Sequence, residues 1–211
     1  MRGPSAPASR VAAVERSVLG PLDGATPLSP GDAGDGMSAD FRSFVAGLVN
    51  HLADVTLLGA PNINSYKRYQ SESWAPTATV WALDNRTAGL RLVGTGAGLR
   101  IESRIPGADA NPYLAFAGVI AAGLAGIEEG LDCGPPYDGN AYAAGAEGDT
   151  ALTHVPWNLP DATEAFRNSE VAQKALGEDV MFHLAHGADE EWRAFHREVS
   201  DWEYRRGYER L

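Results

Sequence analysis

The sequence is short of three things, and each shortage narrows what the chain can be. Cys133 is the single cysteine among 211 residues, so no intrachain disulfide can form and a reducing compartment is expected. Positive charge is scarce as well. Seventeen Lys and Arg stand against 28 Asp and Glu, a formal net charge of -11, which argues against nucleic acid or an anionic membrane as a partner of the whole chain. Long apolar runs are missing: none reaches the roughly 18 residues of a membrane span, and no apolar segment follows Arg2 and Arg10 as a secretory signal would require. These shortages point to a soluble, cytoplasmic protein. What is present, 44% hydrophobic and 21% charged residues over the length of one ordinary domain, suits a globular fold.

The composition changes near residue 38. Residues 1–37 are rich in Gly, Pro, Ala and Ser and offer little apolar surface to offset the entropy of ordering, so they read as a disordered low-complexity leader. Residues 38–211 read as the folded unit. Phe41, Phe44, Val45, Leu48, Leu52 and Val55 recur at helical spacing, and Gly59-Ala60-Pro61 stops that helix. Strands are expected over 77–83, 88–93 and 100–105, the first two joined by a turn at Asp84-Asn85. The run Gly-Thr-Gly-Ala-Gly at 94–98 opens no helix, so a hairpin connection outweighs a phosphate loop. Asn111-Pro112 is a helix start, and the helix to about residue 131 is apolar or small on every side, which predicts burial all round. Asp161 with Glu164 resembles a capping box, and a last helix carries Trp192, Phe195, Val199 and Trp202 on one stripe. His183 and His186 have ligand-like spacing but no third partner, so they read as surface residues.

Charge is unevenly distributed. Between residues 64 and 104 Lys67, Arg68, Arg86, Arg91, Arg100 and Arg104 outnumber Glu72, Asp84 and Glu102. A positive island in an acidic chain suits a ligand carrying several negative charges, because guanidinium forks match carboxylate and phosphate oxygens; the competing reading is a solvated face of surface ion pairs. Strand alternation puts Arg100, Glu102 and Arg104 on one face and Ile101, Ser103 and Ile105 on the other. Arg86 and Arg91 are an odd number apart and cannot share a face of an unbroken strand. Either Arg86 sits in the turn or Gly89 marks a bulge.

Four ordered blocks carry a resemblance: NINSYKRY (62–69), APTATVWALDNRTAGLRL (75–92), LRIESRIPGADANPYLAFAGVIAAGLAGI (99–127) and VSDWEYRRGYERL (199–211). Together they resemble the C-terminal half of the glutamine synthetase catalytic domain. The resemblance implies an α/β (α+β) fold in which antiparallel strands line an active-site funnel and helices pack outside. It also implies ATP-dependent joining of glutamate to ammonia or an amine through γ-glutamyl phosphate, with Mg²⁺ or Mn²⁺. By motif, Arg68 and Arg104 look like glutamate-binding arginines, and Arg86 resembles the catalytic arginine that touches glutamate and the transferring phosphoryl group. Arg91 and Arg100 resemble ATP-phosphate contacts, and Glu102 matches a metal ligand. Such groups would neutralise charge that develops as phosphate transfers.

Two departures from the family pattern shape the expectation. Ammonia-using members carry a glutamate just before Ala-Pro, where this chain has Trp74, with Glu72 two residues earlier. An aromatic there suits a larger alkylammonium such as a polyamine or ethanolamine; ordinary ammonia use and simple loop packing by Trp74 are the alternatives. The carboxylates and histidine that complete the family's metal set, and its N-terminal domain, have no counterpart here, so the chain is expected to be a truncated form, inactive alone. Family members assemble in rings, so the complete protein is expected to be a homo-oligomer. The reading from another class is a non-catalytic relative kept for binding or assembly.

Overall fold

The computed structural model describes residues 31, 34, 36–70, 73–142 and 152–208. The leader expected over 1–37 therefore lies almost wholly outside the described residues, as does Glu72.

The first helical pattern folds as α1 (Ala39–His51). Ser38 caps it: its Oγ accepts from the Phe41 backbone N–H at 3.0 Å, supplying an acceptor that the first turn lacks. A short α2 (Thr56–Gly59) continues the pattern before Pro61, and α3 (Ile63–Tyr66) follows. Then come the strands β1 (Trp81–Leu83), β2 (Leu90–Val93) and β3 (Arg100–Ser103), with a 3-10 turn at Gly96–Gly98 between the last two. The long helix α4 (Pro112–Glu129) starts at Asn111, whose side chain accepts from the Tyr113 N–H, and ends at Gly130 in the left-handed conformation. The chain closes with α5 (Leu159–Arg167), α6 (Glu170–Leu176), α7 (Glu178–Phe195) and α8 (Asp201–Tyr208). The architecture is mixed α and β, as expected. Among the described residues, no helix is long and apolar enough to cross a membrane.

One core unites these elements. Phe41, Phe44, Val45 and Leu48 of α1 meet Leu90 and Leu92 of β2, Ile101 of β3 and Phe166 of α5, all within 2% of complete burial. The α1–α4 crossing is set by glycine. A Cβ on Gly47 would lie 2.2 Å from the Ala122 carbonyl oxygen, and one on Gly126 would lie 2.1 Å from that of Ser43. The two backbones touch where side chains would stand. The uniform apolar pattern of α4 does not produce burial all round: Gly118, Ala122, Gly123 and Gly126 are buried, while Leu124 is 49% exposed. Its outer residues Ala121, Leu124 and Ala125 line a groove of about 650 Å³ shared with Val171 and Lys174 of α6. An apolar pattern records what a helix tolerates; it does not supply an element to cover each face.

The sheet departs from expectation in one respect. β2 and β3 pair antiparallel through the 94–98 connection, but β1 and β2 pair parallel, with Trp81 opposite Leu90 and Leu83 opposite Leu92. The connecting residues do not close a hairpin. Asp84 adopts a positive φ of 45°, and the Asn85 Oδ1 accepts from the Thr87 N–H at 2.9 Å, turning the chain back toward the start of β1. Gly89 then passes so close to Ala78 that a Cβ would stand 2.4 Å from its carbonyl oxygen, while its N–H donates to that oxygen at 3.0 Å. The strands are also shorter than expected because their ends have other partners. Thr77 O accepts from Val155 N at 2.8 Å, Thr79 N donates to Thr153 O at 2.9 Å, and Ile105 O is claimed by side chains.

Two helix expectations are corrected. The cap of α5 is Asn158, whose side chain accepts from Asp161 N, so Asp161 lies inside the first turn. The stripe from Trp192 to Trp202 is broken, because α7 ends at Phe195 and α8 begins at Asp201, leaving Val199 and Trp202 exposed.

Candidate active site

The alternation along β2 and β3 divides the sheet by chemistry. Leu90, Leu92, Ile101 and Ser103 point inward, whereas Arg91, Arg100 and Glu102 lie on the less buried outer face. Antiparallel register sets Arg91 directly opposite Glu102, and Arg104 follows on the same side. Glu102 becomes the middle of a ladder. Its Oε2 accepts from Arg91 Nη1 at 3.0 Å and its Oε1 from Arg104 Nη1 at 2.9 Å. The side chains are only 15–20% exposed, so water screens these pairs weakly.

Each arginine is held from its far side as well. Arg91 donates through Nε at 3.0 Å, and through Nη2, to Asp84 Oδ1. Burial opposes the Arg91 charge, but the hydrogen bonds and charges of Asp84 and Glu102 outweigh it and push its pKa above the usual guanidinium value. Arg104 donates Nη2 to the Trp74 carbonyl at 3.0 Å, while its Nε is buried without a protein partner. Trp74 itself adopts a positive φ of 63° and leaves its indole 63% exposed.

Arg68 forms a second corner. It follows α3, whose start is fastened by Ser65 Oγ accepting from Asn62 N at 3.0 Å and donating to Asp109 Oδ2 at 2.6 Å. The guanidinium lies over the Tyr69 ring, 5.0 Å from its centroid, and donates Nη2 to Ile105 O and, at 3.4 Å, to Arg104 O. Its Nε is buried and unpartnered, like that of Arg104. Burial raises the Tyr142 pKa against the pull of the Arg104 and Arg68 charges. Arg86 sits in the turn and is exposed, which resolves the odd spacing from Arg91 without a bulge. That turn is tied to the later chain by Asn85 Nδ2 donating to Gly139 O at 2.8 Å and by Ala141 N donating to Thr87 Oγ1 at 3.0 Å. Arg100 donates Nη1 to Gly98 O at 3.3 Å.

Of the residues expected at the site, Arg91, Glu102, Arg104 and Trp74 are joined in one hydrogen-bonded chain, and Arg68 donates to the backbone carbonyl of Arg104. Arg86 stays outside it in the turn after β1, and Arg100 begins β3 with its guanidinium on the 3-10 connection. Asp84, Asp109 and Tyr142 were not anticipated. The first had a signal, since parallel pairing carries Asp84 alongside Arg91, but a hairpin reading hides it. The metal expectation fits poorly: among the described residues no three His, Cys, Asp or Glu side chains are grouped to hold an ion, and both Glu102 oxygens already serve arginines. His183 and His186 instead pack against Phe182, with centroids 5.6 and 5.9 Å away.

Comparison with known proteins agrees with this geometry. The family model described as glutamine synthetase, catalytic domain, matches residues 17–207, starting upstream of Ser38. The gamma-glutamylethanolamide synthetase GlnA4 of Streptomyces coelicolor is 49% identical over 178 residues, covering 84% of this chain and 37% of that protein. A glutamate–isopropylamine ligase from a Pseudomonas species is 37% identical over 183 residues, covering 86% and 38%. Among solved structures, a GmaS/ADP complex superposes with a TM-score of 0.78 at 31% identity, covering 89% of this chain and 44% of that one. The chain thus spans about two-fifths of the length of these curated relatives. It belongs to the glutamine synthetase catalytic-domain family.

Proposed function

We propose that the chain supplies the arginine wall of an ATP-dependent glutamate–amine ligase whose amine is larger than ammonia. The observation that carries this reading is the ladder of Arg91, Glu102, Arg104 and the Trp74 carbonyl, which ties the anion-binding face to the loop that carries the exposed indole. In this reading Arg68 and Arg104 take the carboxylates of glutamate, and their buried, unpartnered Nε–H groups supply donors beside those charges. Arg86, free to swing from its turn, contacts the γ-carboxylate and the phosphoryl group that passes to it. Arg91 and Arg100 face the phosphates of ATP, which enters as a substrate. These fixed cations would lower the energy of charge that appears on the transferring oxygens. Trp74 forms an apolar, cation–π wall for the alkylammonium. The names of two relatives, a gamma-glutamylethanolamide synthetase and a glutamate–isopropylamine ligase, support a substituted amine. The described residues of this chain do not by themselves make a divalent-metal site, so no step is assigned to Glu102 as a ligand. Assembly as a homo-oligomer and residence in the cytoplasm belong to the same proposal.

The test is a chimera in which this chain replaces the matching segment of the Streptomyces coelicolor relative. ADP release would be measured with glutamate and ammonium, ethanolamine, isopropylamine or a polyamine. The expected result is turnover with a substituted amine, and Trp74→Glu shifting kcat/KM toward ammonium by about tenfold. Unchanged amine preference after Trp74→Glu would overturn the role of that loop. A chimera that folds but releases no ADP with any amine would overturn the ligase reading.

A further inference from the structure

We propose that Glu102 acts in this chain as a shared counter-ion that spaces Arg91 and Arg104, so that the arginine face binds polyphosphate anions without a divalent cation. The class of anion rests on the ligase reading above; independence from metal does not follow from it. Both oxygens of Glu102 accept charge-assisted hydrogen bonds, from Arg91 at 3.0 Å and from Arg104 at 2.9 Å. Neither arginine can turn away without leaving a second partner, Asp84 for Arg91 and the Trp74 carbonyl for Arg104. A divalent ion on either oxygen would stand beside two fixed guanidinium charges. Among the described residues Glu102 belongs to no group of three or more His, Cys, Asp or Glu that could hold the ion against that repulsion, and Asp84 is itself engaged by Arg91. The same face keeps cationic capacity for an anion: Arg86 is exposed, and Arg100 is held by a carbonyl, which leaves its charge unneutralised. Free tripolyphosphate carries more negative charge than its magnesium complex, so this face should prefer the free anion.

Three measurements on the 211-residue chain test the proposal. Titration calorimetry with inorganic tripolyphosphate should give binding in EDTA, weakened about tenfold when excess Mg²⁺ complexes the anion. Electron paramagnetic resonance of Mn²⁺ should show the same number and affinity of bound ions for the wild type and for the isosteric Glu102→Gln. Nitrogen-detected NMR should show resolved, slowly rotating Nη signals for Arg91 and Arg104 that average together in Glu102→Gln while the backbone amide spectrum is unchanged. Binding that appears only with Mg²⁺, or a Mn²⁺ site lost in Glu102→Gln, overturns metal independence and leaves the ligase reading standing. Nη signals still resolved in Glu102→Gln overturn the counter-ion role. Absence of tripolyphosphate binding in both buffers, with the Nη signals of the wild type resolved, overturns the anion site of this chain, whereas the ligase reading falls only if the chimera releases no ADP.

Discussion

The α1–α4 crossing and the outer face of β2–β3 hold the same protein together by opposite means. In the crossing, Gly47, Gly123 and Gly126 remove side chains so that two backbones and the Phe44 ring can meet. On the sheet face, long side chains reach across, and Arg91, Glu102, Arg104 and Asp84 are joined by hydrogen bonds between opposite charges. The crossing is specified by volume, which is unforgiving, since an added methyl group has nowhere to go. The ladder is specified by charge and reach, and a side chain on that surface can partly relax into water. Structure is therefore brittle at the seam and adjustable at the candidate site, where the proposed ligand would have to be accommodated.

That contrast can be broken most severely at Gly126. Gly126→Ala places a Cβ 2.1 Å from Ser43 O and 2.5 Å from Gly47 N, and about 3 kcal/mol of stability should be lost in thermal unfolding. A loss well below that would mean the helices slide apart cheaply, and the seam is softer than its geometry implies. Next comes Glu102→Leu, which leaves two largely buried guanidinium groups without their shared carboxylate. Because each side chain retains some contact with water, about 2 kcal/mol is expected in urea unfolding, less than for a fully buried pair. Should Glu102→Leu cost more than Gly126→Ala, the ranking of brittle over adjustable is reversed.

A smaller effect is expected at Tyr69, where the two regions' styles meet: the ring is wholly buried and its OH donates to Ile105 O at 3.0 Å. Tyr69→Phe should cost about 1 kcal/mol. Burial, partly countered by Arg68, pushes the Tyr69 pKa up from 10.0 to about 12. The raised value favours the neutral phenol in the folded state, so the contribution is whole below pH 10 and fades as pH climbs toward 12. Ultraviolet titration should show this tyrosine ionising late, and Tyr69→Phe should flatten the alkaline limb of the stability curve. The smallest effect belongs to Trp74→Gly. Its positive φ favours glycine and its indole is mostly exposed, so stability should change by less than about 0.5 kcal/mol. A large loss in the melting curve would show that the indole is a packing element.

Legibility in the sequence followed the same division. Alternation along 100–105 was enough to sort Arg100, Glu102 and Arg104 from the buried Ile101, Ser103 and Ile105, because a period of two is a local property. The cap at Asn111 and the stop at Pro61 were equally local. Pairing direction was not. Asp84-Asn85 reads as a hairpin turn, and only the positive φ of Asp84 and the close approach of Gly89 to Ala78 send the chain round to a parallel neighbour. With that reversal went the partnership of Asp84 and Arg91, and so half of the ladder. The glycines of α4 were visible as small residues, yet which of them meet α1 depends on where two helices cross, a matter of tertiary geometry. Asp109 and Tyr142 were hidden for a similar reason, being brought to the Arg68 corner by loops that carry no periodic signal.

Among the described residues β3 is one of the two outer strands of the sheet. Outer strands invite a second copy to add on, and the residues already described discourage it. If two copies met antiparallel about Glu102, carboxylate would oppose carboxylate and Arg100 of each would oppose Arg104 of the other. Met parallel and in register, every charge would face its own kind. Like charges directly across a strand pair are unfavourable in either arrangement. The pattern Arg-Ile-Glu-Ser-Arg thus guards this edge against self-templated pairing with the same charges that make up the candidate site.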